Sequence, residues 1–514
     1  MAPKALIFLI ISFFLIPANT HLQEEPNEEG LISVVIFQKG LDFAKDILIN
    51  QAISSLTPME LPQIQKTIKI PIIGSVYVVL SNITLNHIDV PSSLSYVKPG
   101  DTGISIVASG ATANLSLNWH YSYSSWVIVP VEISDKGHAF VQVDGMEVEL
   151  TLGLVNQEGT LKMSLVECGC NVNDISITLV GGASWFYQGI HSNYHFCTGS
   201  PKKNSRFVDA FEGQIKSTVE STIIKKIKDG IPKLDSLLQT IPKEISVDDI
   251  AFLNVTFVNE PLLGNSSVGL EINGSFISTD ERVVPKYYHE SKQASVSRKD
   301  LSKMLEISID ESVFNSGSNV YFNADLMHWV VDKVPDQSLL NTAGWKYVVP
   351  QLYKTYPNDE MRLNISVSSP PVIRISSDKI GATIYLDMTI DVLDDNRILQ
   401  VACISVDARA SGYAVILRNN LAGSVSLDDF TLTLKWSKIG KLHMSLIQVL
   451  SQFCKLFYTV GDIDMNALQN WFFALHNLIP EINDTLSTLF LSFENTDILY
   501  NDSRIGICSD VFFS

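Results

Sequence analysis

The sequence predicts an α+β fold of two domains, dominated by antiparallel sheet and carrying two long helices. Alternation of apolar and polar residues recurs in both halves: Ala113, Leu115, Leu117 and Trp119 alternate with Asn114, Ser116 and Asn118, and Phe430, Leu432, Leu434 and Trp436 alternate with Thr431, Thr433 and Lys435. Apolar residues also recur at spacings of three and four in two long stretches, which is helical periodicity. With 514 residues, 46% hydrophobic and 18% charged, the chain can bury at least two sizeable cores.

In chain order, residues 1–20 read as a secretion signal, with Lys4 at a basic start, an apolar run from Ala5 to Ile16, and Pro17, Ala18, Asn19 and Thr20 before the expected cleavage. The first helix carries the stripe Val34, Phe37, Leu41, Ala44, Leu48, Ala52 and Leu56, while Lys39, Asp42, Lys45 and Asn50 are expected to face away. Strands follow, including Val148, Leu150, Leu152 and Leu154 in alternation with polar residues and Gly153. The second helix places Phe211, Ile215, Val219, Ile223, Ile227 and Ile231 at steps of four and is expected to end before Pro232. Residues 278–303 lose periodicity and read as a linker between an N-terminal domain, 21–277, and a C-terminal domain, 304–514. Beyond it, Leu305–Gly317 reads as a strand running into a turn, Thr342–Asn358 as a helix-like segment interrupted by Pro350, and Ser366–Ser376 as strand.

Eight Asn-x-Ser/Thr triplets, at Asn82, Asn114, Asn254, Asn265, Asn273, Asn364, Asn483 and Asn501, are candidate glycosylation sites in a secreted chain. No later run is apolar enough to span a membrane, and no C-terminal hydrophobic anchor follows, so the mature protein is expected to be soluble. The net charge of −18 argues against nucleic acid as a partner and against a broad electrostatic grip on anionic membrane. Nucleophile-elbow, zinc-protease, Walker and dinucleotide motifs are missing from the sequence, which speaks against an enzyme, including a secreted esterase. Cys168, Cys170, His191, His195 and Cys197 are metal-ligand types in one neighbourhood, but their spacing is not a common zinc pattern, and no metal or other cofactor is expected.

Five stretches in order, QKGLDFA (Gln38–Ala44), DVPSSLSYV (Asp89–Val97), ESVFNSG (Glu311–Gly317), SSPPVIRI (Ser368–Ile375) and LRNNLAGSVSLDDFTLTLKWSKIG (Leu417–Gly440), resemble the bactericidal/permeability-increasing and lipopolysaccharide-binding protein family of the tubular lipid-binding superfamily. The CGC at Cys168–Cys170 and the LRNNLAGSVSL phrase resemble plant members. The resemblance implies a two-domain boomerang, each domain a highly curved antiparallel sheet wrapped around a long helix, joined by a central sheet, with one lipid pocket per domain. It further implies phospholipid and lipopolysaccharide as partners, contact with a membrane or a bacterial outer membrane, and a role in innate defence or, alternatively, as a carrier of endogenous phospholipids. Leu41, Ala44 and Leu48 from the first helix and Ile215, Val219 and Ile223 from the second are the residues expected to face lipid.

The resemblance also locates a tip where family members that neutralise lipopolysaccharide are basic. Here that region offers only Lys66 and Lys69, with Trp119, Tyr121, Tyr123 and Trp126 around the next turn as candidate glycolipid contacts. The family's disulfide between strand and second helix cannot form, because Phe211–Ile231 holds no cysteine. Cys197 is then the available partner for Cys168 or Cys170, and Cys403 is expected to pair with Cys508. Two stretches depart from the family: His191–Phe207 looks inserted, and residues 449–493 replace the segment that returns to the final strand.

Overall fold

Long strands bend where their ladders are interrupted, and such interruptions shape both halves of this protein. The computed structural model describes residues 30–70, 74–126, 130–182, 206–280, 302–333, 337–347, 349–394, 397–417, 420–440 and 491–513. The expected signal segment, Cys197, Asn483, most of the linker and the replaced stretch up to residue 490 lie outside them.

The N-terminal sheet has the order β2 (Met59–Leu61), β4 (Gly74–Asp89), β6 (Gly103–Trp126), β7 (Pro130–Gln157) and β8 (Thr160–Val180), with β3 (Ile64–Ile70) also on β4 and β5 (Ser95–Gly100) also on β6. All neighbouring pairs in it are antiparallel. Register shifts at Ser81/Thr84, Leu85/His87 and Ala108–Ala113, with Gly110 and Gly145 at positive φ, curl the sheet. Its inner face carries the alternation read from the sequence, so Ala113, Leu115, Leu117 and Trp119 are all buried.

Helix α1 (Gln38–Leu56) and helix α2 (Arg206–Leu238) accompany this sheet. Val34 and Phe37 precede α1 as part of β1 (Ile32–Phe37), so the apolar spacing expected to be one helix is a strand followed by a helix. Helix α2 does not stop before Pro232 but continues through it to Leu238.

A central sheet joins the halves. Its order is β11 (Leu262–Leu263), β12 (Ser267–Ile272), β1, β14 (Leu305–Asp310), β22 (Arg504–Phe513) and β21 (Leu491–Asn501), so strands from the beginning, middle and end of the chain alternate within one ladder. A three-stranded sheet of β9 (Glu244–Ser246), β10 (Ala251–Asn254) and β13 (Phe276–Ser278) packs near it.

The C-terminal sheet follows the order β15 (His328–Val331), β16 (Glu360–Val367), β18 (Ile380–Asp394), β19 (Arg397–Leu417) and β20 (Asn420–Ser437), with β17 (Val372–Ile375) also on β18. Bulges at Ile390/Asp391, Cys403/Ile404 and Arg409/Ala410 bend it in turn. Leu434 pairs with buried Ile404 on the face of Leu432 but is itself exposed, since β20 is the last strand of this sheet among the described residues. The expected turn after β14 is instead helix α3 (Glu311–Asn323), started by Asp310, whose carboxylate accepts from the Ser312 amide at 2.9 Å. Pro350 opens helix α4 (Pro350–Thr355) rather than interrupting one, since the first helical position needs no amide hydrogen.

Three of these helices seal strand edges, and for α1 and α3 the family-like stretches supply the seals. Strand β5 pairs only with β6, and its outer carbonyls accept from α1: Gln38 Nε2 donates to Val97 O at 2.9 Å and Lys45 Nζ to Ser95 O at 3.1 Å. Strand β8 is the last of its sheet, and α2 meets its edge with Glu220 on the Val172 amide at 2.9 Å, Asp235 on the Met163 amide at 2.8 Å and Lys216 Nζ on Asn173 O at 2.8 Å. In the second half, α3 treats β17 the same way. Glu311 accepts from the Ile375 amide at 2.8 Å and from Arg374, Asn315 holds both the amide of Ile373 (2.7 Å) and its carbonyl (3.0 Å), and Ser318 donates to Pro371 O at 2.7 Å. An unpaired buried edge costs stability at every amide and carbonyl, so these side chains do what a further strand would do. Replacing Asn315 by Leu is expected to cost about 2–4 kcal/mol by orphaning both groups, read as a lower denaturant midpoint; an unchanged midpoint would show that water takes over the edge.

Candidate lipid-binding site

With its edges sealed, the N-terminal sheet presents an inner apolar face between α1 and α2. The half of α2 farther from the central sheet packs tightly: Phe211, Ile215, Val219 and Ile223 are buried against Leu80, Leu115, Leu117 and other residues of the inner face. The crevice between Leu80, Leu117, Ala139, Ile177, Leu179, Phe211 and Ile215 holds about 10 Å³, room for a single water-sized molecule and not for an acyl chain. Nearer the central sheet the packing is looser. Leu48 of α1, Ile227 and Leu234 of α2, and Ile104, Leu150, Leu154, Met163 and Leu165 of the sheet are half-buried and apolar, and all touch one core cluster. Apolar positions left half-covered in this cluster are what an acyl chain would complete.

The expected lipid-facing residues therefore divide. Leu41 is buried, Ala44 and Leu48 are half-buried, and Ile215, Val219 and Ile223 are enclosed by protein. Lys45, expected to face away, is only 4% exposed because its ammonium serves the β5 edge and Asp46, 3.0 Å away. Ile227, Leu150 and Leu165 are half-buried apolar positions of the same cluster that the sequence did not single out as facing lipid. Ile227 was legible in the helical stripe, but only the packing distinguishes a half-covered position from a filled one.

Two thiols share this wall. Cys168 and Cys170 lie on β8 facing α2, and burial, with the Glu220 carboxylate and the neighbouring Cys168, pushes Cys170 up to about 12. Burial raises Cys168 as well, partly offset by Lys228. Thiols held protonated are poor nucleophiles and poor metal ligands and behave as small apolar groups. Among the described residues no three metal-ligand groups converge.

Of the residues expected at the glycolipid tip, Trp119 and Tyr121 are buried rather than displayed. Trp119 is 2% exposed, its indole Nε1 donates to His138 O at 2.9 Å, and a side chain on Gly137 would collide with its ring. Tyr121 is buried beside it and stacks on it with ring centres 6.0 Å apart, and half-buried Tyr123 continues the ladder at 6.3 Å. These rings line the inner face of the sheet because the alternation that places Leu117 inside places Trp119, Tyr121 and Tyr123 on the same face. Lys66 lies on β3 between inward Ile64 and Ile68, Lys69 is exposed, and Trp126 ends β6 with its side chain outside the described residues.

The expected Cys403–Cys508 pairing is also corrected, since no disulfide joins the four described cysteines: Cys403 lies in the C-terminal sheet and Cys508 in the central sheet. Two glycosylation candidates are buried. Asn254 Oδ1 accepts from the Thr256 amide at 3.0 Å and hydroxyl at 2.7 Å, and Asn273 makes the same turn with Ser275. Both triplets are turn chemistry, in which the hydroxyl residue required of an acceptor is used internally. Asn82, Asn114 and Asn265 are exposed, and Asn364 and Asn501 are half-buried. Glycopeptide mapping of protein made in a secretory host is expected to find sugar on Asn82, Asn114 and Asn265 and none on Asn254 or Asn273; occupancy at Asn273 would show that this turn is not native.

Residues 40–194 match the N-terminal domain, and residues 245–489 the C-terminal domain, of the LBP / BPI / CETP family. The chain belongs to this family. A BPI/LBP family protein of Arabidopsis thaliana is 48% identical across 99% of this chain and 97% of its own length. A bactericidal permeability-increasing protein of Sebastes schlegelii is 23% identical, covering 82% and 85%. A phospholipid transfer protein of Mus musculus is 23% identical over 65% and 63%. The crystal structure of a lipopolysaccharide binding protein superposes with a TM-score of 0.56 at 16% identity, covering 95% of this chain and 100% of that one. The LBP / BPI / CETP members are lipid-binding or lipid-transfer proteins, and the boomerang of two curved sheets on a central sheet is the fold this chain shares with them. Among the described residues no helix is long and apolar enough to cross a membrane.

Proposed function

We propose that this chain is a secreted, non-enzymatic glycoprotein that holds bacterial lipopolysaccharide or related amphipathic lipids through their acyl chains, in innate defence. The half-buried apolar positions Leu48, Ile227, Ile104, Leu150 and Leu165 carry this reading, because they leave apolar surface of one core cluster incompletely covered. Leu41, Ala44 and Leu48 form its α1 side, while Ile215, Val219 and Ile223 are reached only if α2 moves away from the sheet. The fold, rather than any catalytic residue, does the work: it removes acyl chains from water and leaves a polar headgroup at the mouth.

Carriage of endogenous phospholipid is the second reading. The acidic chain, with net charge −18, lacks the basic N-terminal tip that would attract lipopolysaccharide phosphates at long range, which favours it. Mass spectrometry of lipid extracted from the purified protein, followed by competition between lipopolysaccharide and phosphatidylcholine for the loaded protein, separates the two. Displacement by lipopolysaccharide at lower concentration supports defence, displacement by phospholipid alone supports carriage, and protein that neither carries nor takes up lipid defeats both.

A further inference from the structure

The C-terminal sheet ends in a surface where exposed lysines stand over aromatic rings. Strand β18 starts near the central sheet, where the Ser503 amide donates to Ile375 O at 2.9 Å, and runs about 45 Å by strand rise to Asp394. Over that far end fold residues 337–347 and 349–356, tied down by the buried side chains of Trp345, Val349 and Leu352 and by the Trp345 indole on Leu339 O at 2.8 Å.

From this anchored base Tyr347 projects into solvent at 87% exposure. The Lys346 ammonium lies 5.7 Å from the Tyr347 ring centre and 5.3 Å from that of Tyr353. Lys354 is exposed on the following helix, and at the end of β20 Lys438 stands 5.5 Å over Trp436. None of these three lysines is paired with a carboxylate among the described residues. Exposed Glu360 and half-buried Asp359 share the end, so the net positive charge is small and acts only at short range. Cations held over tyrosine and tryptophan rings, on a rigid projecting base, match a boundary that is anionic outside and apolar beneath.

We propose that this C-terminal tip docks the protein on an anionic phospholipid bilayer, with Tyr347 at the headgroup level and Lys346, Lys354 and Lys438 on lipid phosphates. The proposal deepens the lipid-binding reading by giving the protein a place to stand while lipid enters or leaves.

The test is co-sedimentation with phosphatidylcholine vesicles with and without phosphatidylserine. Wild-type protein is expected to sediment with the anionic vesicles, and Tyr347→Ser combined with Lys346→Ser and Lys354→Ser to lose roughly tenfold or more of that binding. In parallel, uptake of a monomeric short-chain fluorescent phospholipid is read on the same proteins and is expected to be unchanged in the variant. Uptake that fails in wild type while vesicle binding persists removes the lipid-carrying function and leaves the docking surface standing. Wild type that ignores anionic vesicles, sediments equally with neutral ones, or is unaffected by the substitutions overturns the proposal.

Discussion

Leu48→Asp protein is expected to fold and to lose nearly all bound phospholipid. Leu48 is half-buried on α1 and touches the core cluster that includes Leu150, Leu165 and Ile227 among its looser members, so an empty site can hydrate the new carboxylate while an acyl chain cannot. Desolvating that charge against hydrocarbon costs several kcal/mol, enough to lower occupancy by a hundredfold or so. Lipid per protein, measured by mass spectrometry after purification, reads the effect, with far-ultraviolet circular dichroism to check the fold. Ile223→Asp is the contrast: Ile223 is enclosed between α2 and the sheet, and its replacement is expected to prevent folding rather than loading. A folded Leu48→Asp protein carrying wild-type lipid would remove α1 from the site.

Gly40→Val is expected to destabilise the junction between the domains by about 3 kcal/mol or more and to lower the melting temperature by roughly 5–10 °C. A Cβ at Gly40 would stand 2.5 Å from Met304 O, the carbonyl that already accepts from the Phe37 amide at 2.9 Å, and 3.0 Å from Ile36 Cγ2. The obstacle is backbone at the start of β14, which cannot swing aside as a side chain can. Beside it, Lys39 Nζ reaches Asp510 at 2.7 Å on β22. Burial pushes the Asp510 carboxyl up, but bonds from Lys39, Asn495 and the Met304 amide outweigh it and hold the group below its ordinary range. Thermal melting of Gly40→Ala and Gly40→Val measures the step; equal melting temperatures for all three proteins would mean that α1 can back away from β14 without loss.

The first family-like stretch thus does more than its periodicity suggests. In QKGLDFAKD, Gln38 and Lys45 close the edge of β5, Lys39 holds the last strand, and Gly40 admits the carbonyl of Met304. Its partner is DVPSSLSYV, which supplies the edge carbonyls of Ser95 and Val97, just as ESVFNSG in α3 has its partner in SSPPVIRI of β17. The matching stretches are two copies of one contact, a helix lying on an unpaired strand, and each copy is written in two places far apart in the chain.

Sequence by itself determined the α+β class, the inward rows such as Ala113 to Trp119, the stripe from Phe211 to Ile231 and the family, because each is a local period or a run of wording along one segment. Only the tertiary structure decided that Lys45 is buried, that Trp119 and Tyr121 are enclosed on the inner face, that Asn254 and Asn273 are turns, and that Leu48 and Ile227 are less covered than Ile215. Periodicity tells which face of a strand or helix is apolar. Whether that face is filled, and whether an edge amide or carbonyl lacks a strand, depends on which distant segment lies beside it, and that is a property of sheet order rather than of any stretch of residues.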